Sequence, residues 1–388
     1  MLRHSAFALL LAACGPATSA SSTDAAPADT TPPPADPPAA TPPPAPAHPA
    51  YRPTYPLASS QGGRVLHAVQ VVTVTFDGDT FEPDLRAFDD GITQTPYWKA
   101  TTSEYCDAKG CIGPGASGGY ATLAAPPATL SDDDLRALLR AKVADGTLPA
   151  PTADTVYTVY PPASTTVSMP ASDGGGASCV AYHGFHEHLA IGTQDAAYIV
   201  VARCPDAPTF DAMTMIGSHE LVEAATDPDL DGWHLDDDAW STWHGWELAD
   251  VCLGESTVTE GKWTVERTYS SAAAKNGTHP CVPATPDDDF GVAPRAAEIV
   301  QVEVGGTTTV PLVGWSVADA EDFAVSVALT GGGGALTAAL DRSKANDGAT
   351  LSLRVGFTKT PADGGGTVLV RSKRGTRIGA WPVLVLTK

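Results

Sequence analysis

Between Arg64 and Phe76 the chain reads RVLHAVQVVTVTF, a Val- and Thr-rich run entered from a glycine pair, and the pattern predicts a strand. Further on the period changes. Ser131 and Asp134 form a capping box, after which Leu135, Leu138, Leu139 and Val143 recur at helical spacing until Gly146. DTVYTVYPP, ended by two prolines, predicts another strand, and DAAYIVVARC a third, apolar enough to lie inside a sheet. Thr209 or Asp211 can cap the next helix, which carries Met213, Met215, Ile216 and then His219. Strands alternating with helices predict an α/β domain over residues 55–285, a mixed sheet with helices.

After TPDDDF the texture is different. Residues 290–388 are short Val- and Thr-rich runs such as AEIVQVEV, FAVSVAL, LSLRVGF and TVLVRS, divided by Gly-rich turns. Regularly spaced short strands predict a small all-β sandwich of immunoglobulin-like type with a structural or adhesive role.

The first residues set the compartment. A short basic start precedes an apolar stretch from Ala6 to Ala13, too short to span a bilayer as a helix. Leu11-Ala12-Ala13-Cys14 resembles a bacterial lipobox, which implies a signal peptide at 1–13, cleavage before Cys14 and a lipid on its sulfur. Residues 14–54 are rich in Pro and Ala, a semi-rigid tether rather than a fold. The expectation is an exported protein, lipid-anchored at the outer membrane or cell surface, or secreted.

Composition narrows the partners. A net charge of −22 repels a phosphate backbone and excludes nucleic acid, and any membrane contact runs through the lipid alone. Apart from Cys14 there are six cysteines, an even number that suits disulfides outside the cytosol. Pairing sequence neighbours closes one local loop each, so Cys106–Cys111, Cys179–Cys204 and Cys252–Cys281 are expected. None has C-x-x-C spacing, which argues against a thiolate metal site.

Ligand chemistry concentrates in SHELVEAATDPDLDGWHLDDD, residues 218–238. On a helix His219 and Glu223 face the same way, with Glu220 about 100° around. That is the geometry of H-E-x-x-H zinc enzymes with glutamate as the second ligand. A carboxylate can ligate zinc, although it adds negative charge at the metal. Downstream, HGWELADVC offers Glu247 and Asp250 in a helical turn. A glutamate arriving from a second helix resembles the gluzincin arrangement of thermolysin-like peptidases. That likeness implies zinc on His219, Glu223 and Glu247, with Glu220 as general base. Upstream, AYHGFHEHL holds His183, His186 and His188, of which His183 is ranked first as a catalytic partner.

YWKATTSEYC, LPAPTADTVYTVYPP, CVAYHGFHEH, AAYIVVARCP, SHELVEAATDP and WELADVC, in that order, resemble the phosphate-induced protein 1 or Exordium-like family of plant wall proteins and bacterial secreted relatives. The resemblance covers about residues 60–285. It implies an extracellular protein and a zincin-like character for His219, Glu220 and Glu223.

The end of the same stretch has its own pattern. Asp227, Asp229 and Asp231, then Gly232, then Asp238 at the twelfth position, match an oxygen-rich calcium loop. An Asp-rich turn ending the helix at Pro228 explains the same residues. Trp233, Trp240, Trp243 and Trp246 beside it suit either a glycan-stacking surface or a hydrophobic lid. The Gly runs at 174–176, 331–334 and 364–366 lack the lysine of a P-loop.

The sequence supports two functions. One is a surface-anchored zinc-dependent peptidase acting on extracellular protein or peptide. The other is a non-catalytic wall or matrix protein binding glycan or protein partners.

Overall fold

The computed structural model describes residues 49–170, 175–241, 246–296, 299–318, 321–362 and 364–388. The signal peptide, Cys14 and most of the tether lie outside the described residues, as does Trp243.

A five-stranded sheet carries the functional helix. Its strands are β1 (Gln70–Phe76), β2 (Ala116–Leu123), β3 (Thr155–Val159), β4 (Gly184–Ile191) and β5 (Gln194–Val201), in spatial order β4-β5-β3-β1-β2. Neighbours are parallel except β4 and β5, which form an antiparallel hairpin and leave β4 at the sheet's edge. Helices α1 (Glu82–Gly91), α2 (Pro96–Thr102), α3 (Asp132–Ala144) and α4 (Phe210–Thr226) accompany the sheet. Ser131 caps α3 through the Asp134 N–H, and Thr209 caps α4 through that of Ala212.

The two faces of the sheet divide by strand parity. Val71, Val156, Ala197, Ile199 and Val201 pack with α1 and α4, whereas Val72, Val74, Tyr157, Val159, Phe185 and Tyr198 pack with α3. Helix α4 is buried at every residue from Met213 to Thr226. An ordinary surface helix buries one stripe. Here the polar groups of the His219 stretch lie inside the molecule and must find partners there.

The expectation of an α/β chain with a zincin-like domain is corrected. Strands hold 40% of the described residues and helices 21%, so the chain is mostly β. The reason lies downstream of α4. Residues expected to form a second helix around Glu247 make only a 3-10 turn at Asp250–Cys252; a short hairpin then occupies Val258–Val265, and Thr268–Tyr269 pairs with Cys281–Val282 across the five-residue helix Ser271–Lys275. Among the described residues, nine strands then fill the C-terminal region.

Those strands form two sheets around one core. One orders Phe290–Pro294, Thr307–Ser316, Thr350–Phe357 and Leu336–Leu340. The other orders Ile299–Val302, Arg377–Thr387, Gly365–Arg374, Phe323–Gly331 and Lys344–Ala345. Alternate side chains such as Leu312, Leu353, Val368 and Val383 point inward and are fully buried.

The two regions share a hydrophobic seam. Trp381 meets Trp240 at 5.1 Å, Tyr55 at 5.3 Å and Trp315 at 5.8 Å between ring centroids. Trp240 is therefore interior packing, and Trp233 packs on Tyr105 and donates its indole N–H to the Cys106 carbonyl. Trp240 thus helps to join the two regions, and neither it nor Trp233 presents a flat sugar platform.

Cys106–Cys111, Cys179–Cys204 and Cys252–Cys281 are all bridged. Such bridges belong to a protein that works outside the reducing cytosol, at or beyond the cell surface. Among the described residues no helix is long and apolar enough to cross a membrane.

Candidate metal centre

Because α4 is buried, its acidic stretch is served by neighbouring elements. The hairpin Val258–Glu260/Trp263–Val265 is stapled along the helix by two hydroxyls one turn apart. Thr214 donates to the Thr264 carbonyl at 2.8 Å, and Ser218 Oγ accepts the Glu266 N–H at 3.0 Å. That register sets Glu266 Oε2 3.1 Å from His219 Nδ1. With Nδ1 engaged, Nε2 is the free ring nitrogen. It lies 3.2 Å from Glu223 Oε2 and 3.5 Å from Asp250 Oδ1.

Asp250 opens the 3-10 turn that the Cys252–Cys281 bridge anchors, and its backbone N–H donates to Glu223 Oε1 at 3.1 Å. The turn thus locks the carboxylate of α4 and contributes one of its own. From the other side comes His186 of β4. Its Nε2 is 3.3 Å from Glu247 Oε1 and 3.2 Å from the Asp227 carbonyl. Its Nδ1 is 3.7 Å from Glu223 Oε2 and 3.8 Å from Glu220 Oε2. Gly184, two residues earlier on the same face, lets the strand come this close. A Cβ there would stand 2.5 Å from Glu220 Oε1 and 2.6 Å from Ile216 Cγ2.

Two imidazoles and five carboxylates, Glu220, Glu223, Glu247, Asp250 and Glu266, are thus gathered in a largely buried site. Burial alone depresses the two imidazoles, but the carboxylates outweigh it, led by Glu247 at His186 and by Glu223 at His219, and both pKa values rise well above the ordinary one. Burial pushes Glu223 up to about 7 against the pull of His219, raises Glu247 well above the carboxylate range, and raises Glu266. So much buried negative charge needs either protons or a cation.

The donor set fits a metal ion. Ligands sharing a tetrahedral zinc at about 2.0–2.2 Å stand roughly 3.3–3.6 Å apart. His219 Nε2 is close to that spacing from both, 3.2 Å from Glu223 and 3.5 Å from Asp250, and the three ligand atoms lie within 4.8 Å of one another. Glu266 holds the outer nitrogen of His219, the arrangement that fixes tautomer and ring orientation in metal sites.

The expected residues are thus partly reassigned. His219, Glu220 and Glu223 share the centre. Glu247 pairs with His186, and Asp250 stands in its place beside His219. His183 turns away, 3.1 Å from Asp206. Parity decides this: even-numbered residues of β4 face α4, and His183 has the opposite parity. His186 was legible as one of three histidines, but nothing local distinguished it. Glu266 had no local signal at all.

The aspartates of the calcium pattern do not converge. Asp227, buried at the end of α4, accepts the Gly232 N–H and pairs with His234. Asp229 forms a salt bridge with Arg64 at 2.7 Å, while Asp238 opens the short helix Asp238–Ser241. At Asp231 it is the backbone carbonyl that is engaged, by the Gly63 N–H at 2.7 Å.

No protein-family profile matches the chain, and no curated protein matches it. Among solved structures, the S-layer protein SbsC, domains 4 and 5, is 16% identical over 25% of this chain and 50% of that one, with a TM-score of 0.20. The secreted serine protease VesC from Vibrio cholerae is 16% identical over 26% of this chain and 24% of its own, with a TM-score of 0.19. This chain spans half or less of those structures, and likenesses at these scores carry no weight for fold or function.

Proposed function

We propose that the chain is an extracellular zinc-dependent hydrolase of peptides, with His219, Glu223 and Asp250 as zinc ligands and Glu220 as general base. The observation that carries this reading is the pair of distances from His219 Nε2, 3.2 and 3.5 Å to two carboxylates, with Glu266 on the opposite nitrogen. Zinc bound there supplies Lewis acidity, polarising a carbonyl and acidifying water. Glu220 lies about 100° around the helix from its neighbour His219, outside that ligand set, and its carboxylate would take a proton from the attacking water. Strand β4, which carries His186, lies at the edge of the sheet beside α4. A lipid on Cys14 would tether this activity to a membrane surface.

The burial of the site favours a second reading. His219, Glu220 and Glu223 are only 8%, 5% and 2% exposed, as suits a structural metal in a non-catalytic matrix protein. One pair of variants separates the two. His219→Ala should bind less zinc than the wild type, whereas Glu220→Gln should keep its zinc and lose cleavage of a generic protein substrate. Wild-type protein that holds zinc and cleaves nothing across a broad peptide library would establish the structural role. His219→Ala with undiminished zinc would refute the site itself.

A further inference from the structure

Glu223 Oε2 stands between two imidazoles, 3.2 Å from His219 Nε2 and 3.7 Å from His186 Nδ1. Each histidine also faces a carboxylate of its own, Asp250 at the same Nε2 of His219 and Glu247 at Nε2 of His186. The centre therefore consists of two triads that share one residue. His219, Glu223 and Asp250 form one, and His186, Glu223 and Glu247 form the other, each with ligand atoms within 4.8 Å.

We propose that this is a two-metal centre, with Glu223 as the bridging carboxylate and the second divalent cation held by His186 and Glu247. The proposal rests on the zinc-hydrolase reading and deepens it. Three observations carry it. The first is the make-up of the donors, one imidazole and one private carboxylate in each triad with one carboxylate shared between them, a set that suits paired ions about 3.5–4 Å apart. The second is Glu247 Oε1, buried and without a hydrogen bond although it faces His186. A carboxylate oxygen left so is costly unless a cation completes it. The third is charge. The ion pairs of Glu220, Glu223, Glu247, Asp250 and Glu266 run to the two imidazoles. With both imidazoles neutral, as ligands must be, one divalent ion leaves three of the five negative charges uncompensated, whereas two ions leave one.

His186 has the support a ligand needs. Its strand is held in place by the β4–β5 hairpin, where His186 pairs with Ile199, and Gly184 brings the strand against α4. A pair of cations here would clamp both the attacking and the leaving atoms of a hydrolysed amide, and would suit zinc or another divalent ion that takes imidazole and carboxylate.

The test is zinc per chain in the full-length protein, loaded with zinc alone, freed of excess and measured by elemental analysis. The wild type should hold two zinc ions and His186→Ala one. Glu247→Gln, which keeps the shape of the side chain, should also hold one, and it decides the matter if His186→Ala fails to fold. One zinc in the wild type overturns the two-metal centre and leaves the mononuclear site standing. Two zinc ions in a folded His186→Ala or in Glu247→Gln likewise overturn it. No zinc in the wild type removes both this proposal and the reading beneath it.

Discussion

Glu266 Oε2 is 3.1 Å from His219 Nδ1, a contact made across 47 residues of chain by the hairpin that Thr214 and Ser218 staple to α4. It fixes which imidazole nitrogen faces Glu223 and Asp250. Replacing an outer-shell carboxylate of this kind costs about 10–100-fold in metal affinity. Glu266→Gln should therefore weaken zinc binding by that order while leaving zinc per chain at saturation unchanged, as competition against a chromogenic chelator would show. Unaltered affinity would mean that His219 is oriented by packing alone.

Asp89 gives the fold a pH dependence away from the centre. Burial pushes its carboxyl from 3.8 up to about 7, against the hydrogen bond that Tyr160 donates to it at 2.8 Å. Below about pH 4 the group is protonated both folded and unfolded and contributes no slope. From there to about pH 7 the unfolded chain loses the proton and the folded one keeps it, so stability falls as pH rises and levels off above. A shift of this size corresponds to something on the order of 4 kcal/mol. Urea unfolding from pH 4 to 8 should show wild-type stability declining relative to Asp89→Asn, which cannot titrate. Parallel curves for the two proteins would disprove the assignment.

Gly184 is needed for want of a side chain. A methyl group there would meet Ile216 Cγ2 at 2.6 Å and Glu220 Oε1 at 2.5 Å, forcing β4 away from α4. Gly184→Ala should lose about 1–3 kcal/mol of stability, as overpacked cores do. It should also weaken zinc binding, since His186 and Glu220 move with the strand and the helix. A variant as stable as the wild type in thermal unfolding, with unchanged zinc affinity, would show that the gap closes by rotamer change alone.

Much of the local structure was legible in the sequence. Ser131 and Gly146 bracket α3, and Thr209 caps α4, because caps and stops depend on neighbouring residues only. The disulfides join sequence neighbours, each closing one short loop. His219 and Glu223 share a face because the helical period puts them there.

The balance of strand and helix was not legible, since short apolar runs after residue 250 carry no period long enough to separate hairpin from helix. Nor was the ligand set. In a continuous helix Glu247 and Asp250 would share a face, but the turn begins only at Asp250, so the two carboxylates serve different histidines. His186 rather than His183 enters the centre because the β4–β5 register decides which parity faces α4. Glu266 arrives from a hairpin whose position depends on two hydroxyl bonds to a buried helix. The sequence by itself determined the helix, its caps and the side chains it offers, all matters of neighbours within a turn. Only the tertiary structure decided which distant carboxylates meet them, because strand register and the packing of a fully buried helix depend on the whole chain at once.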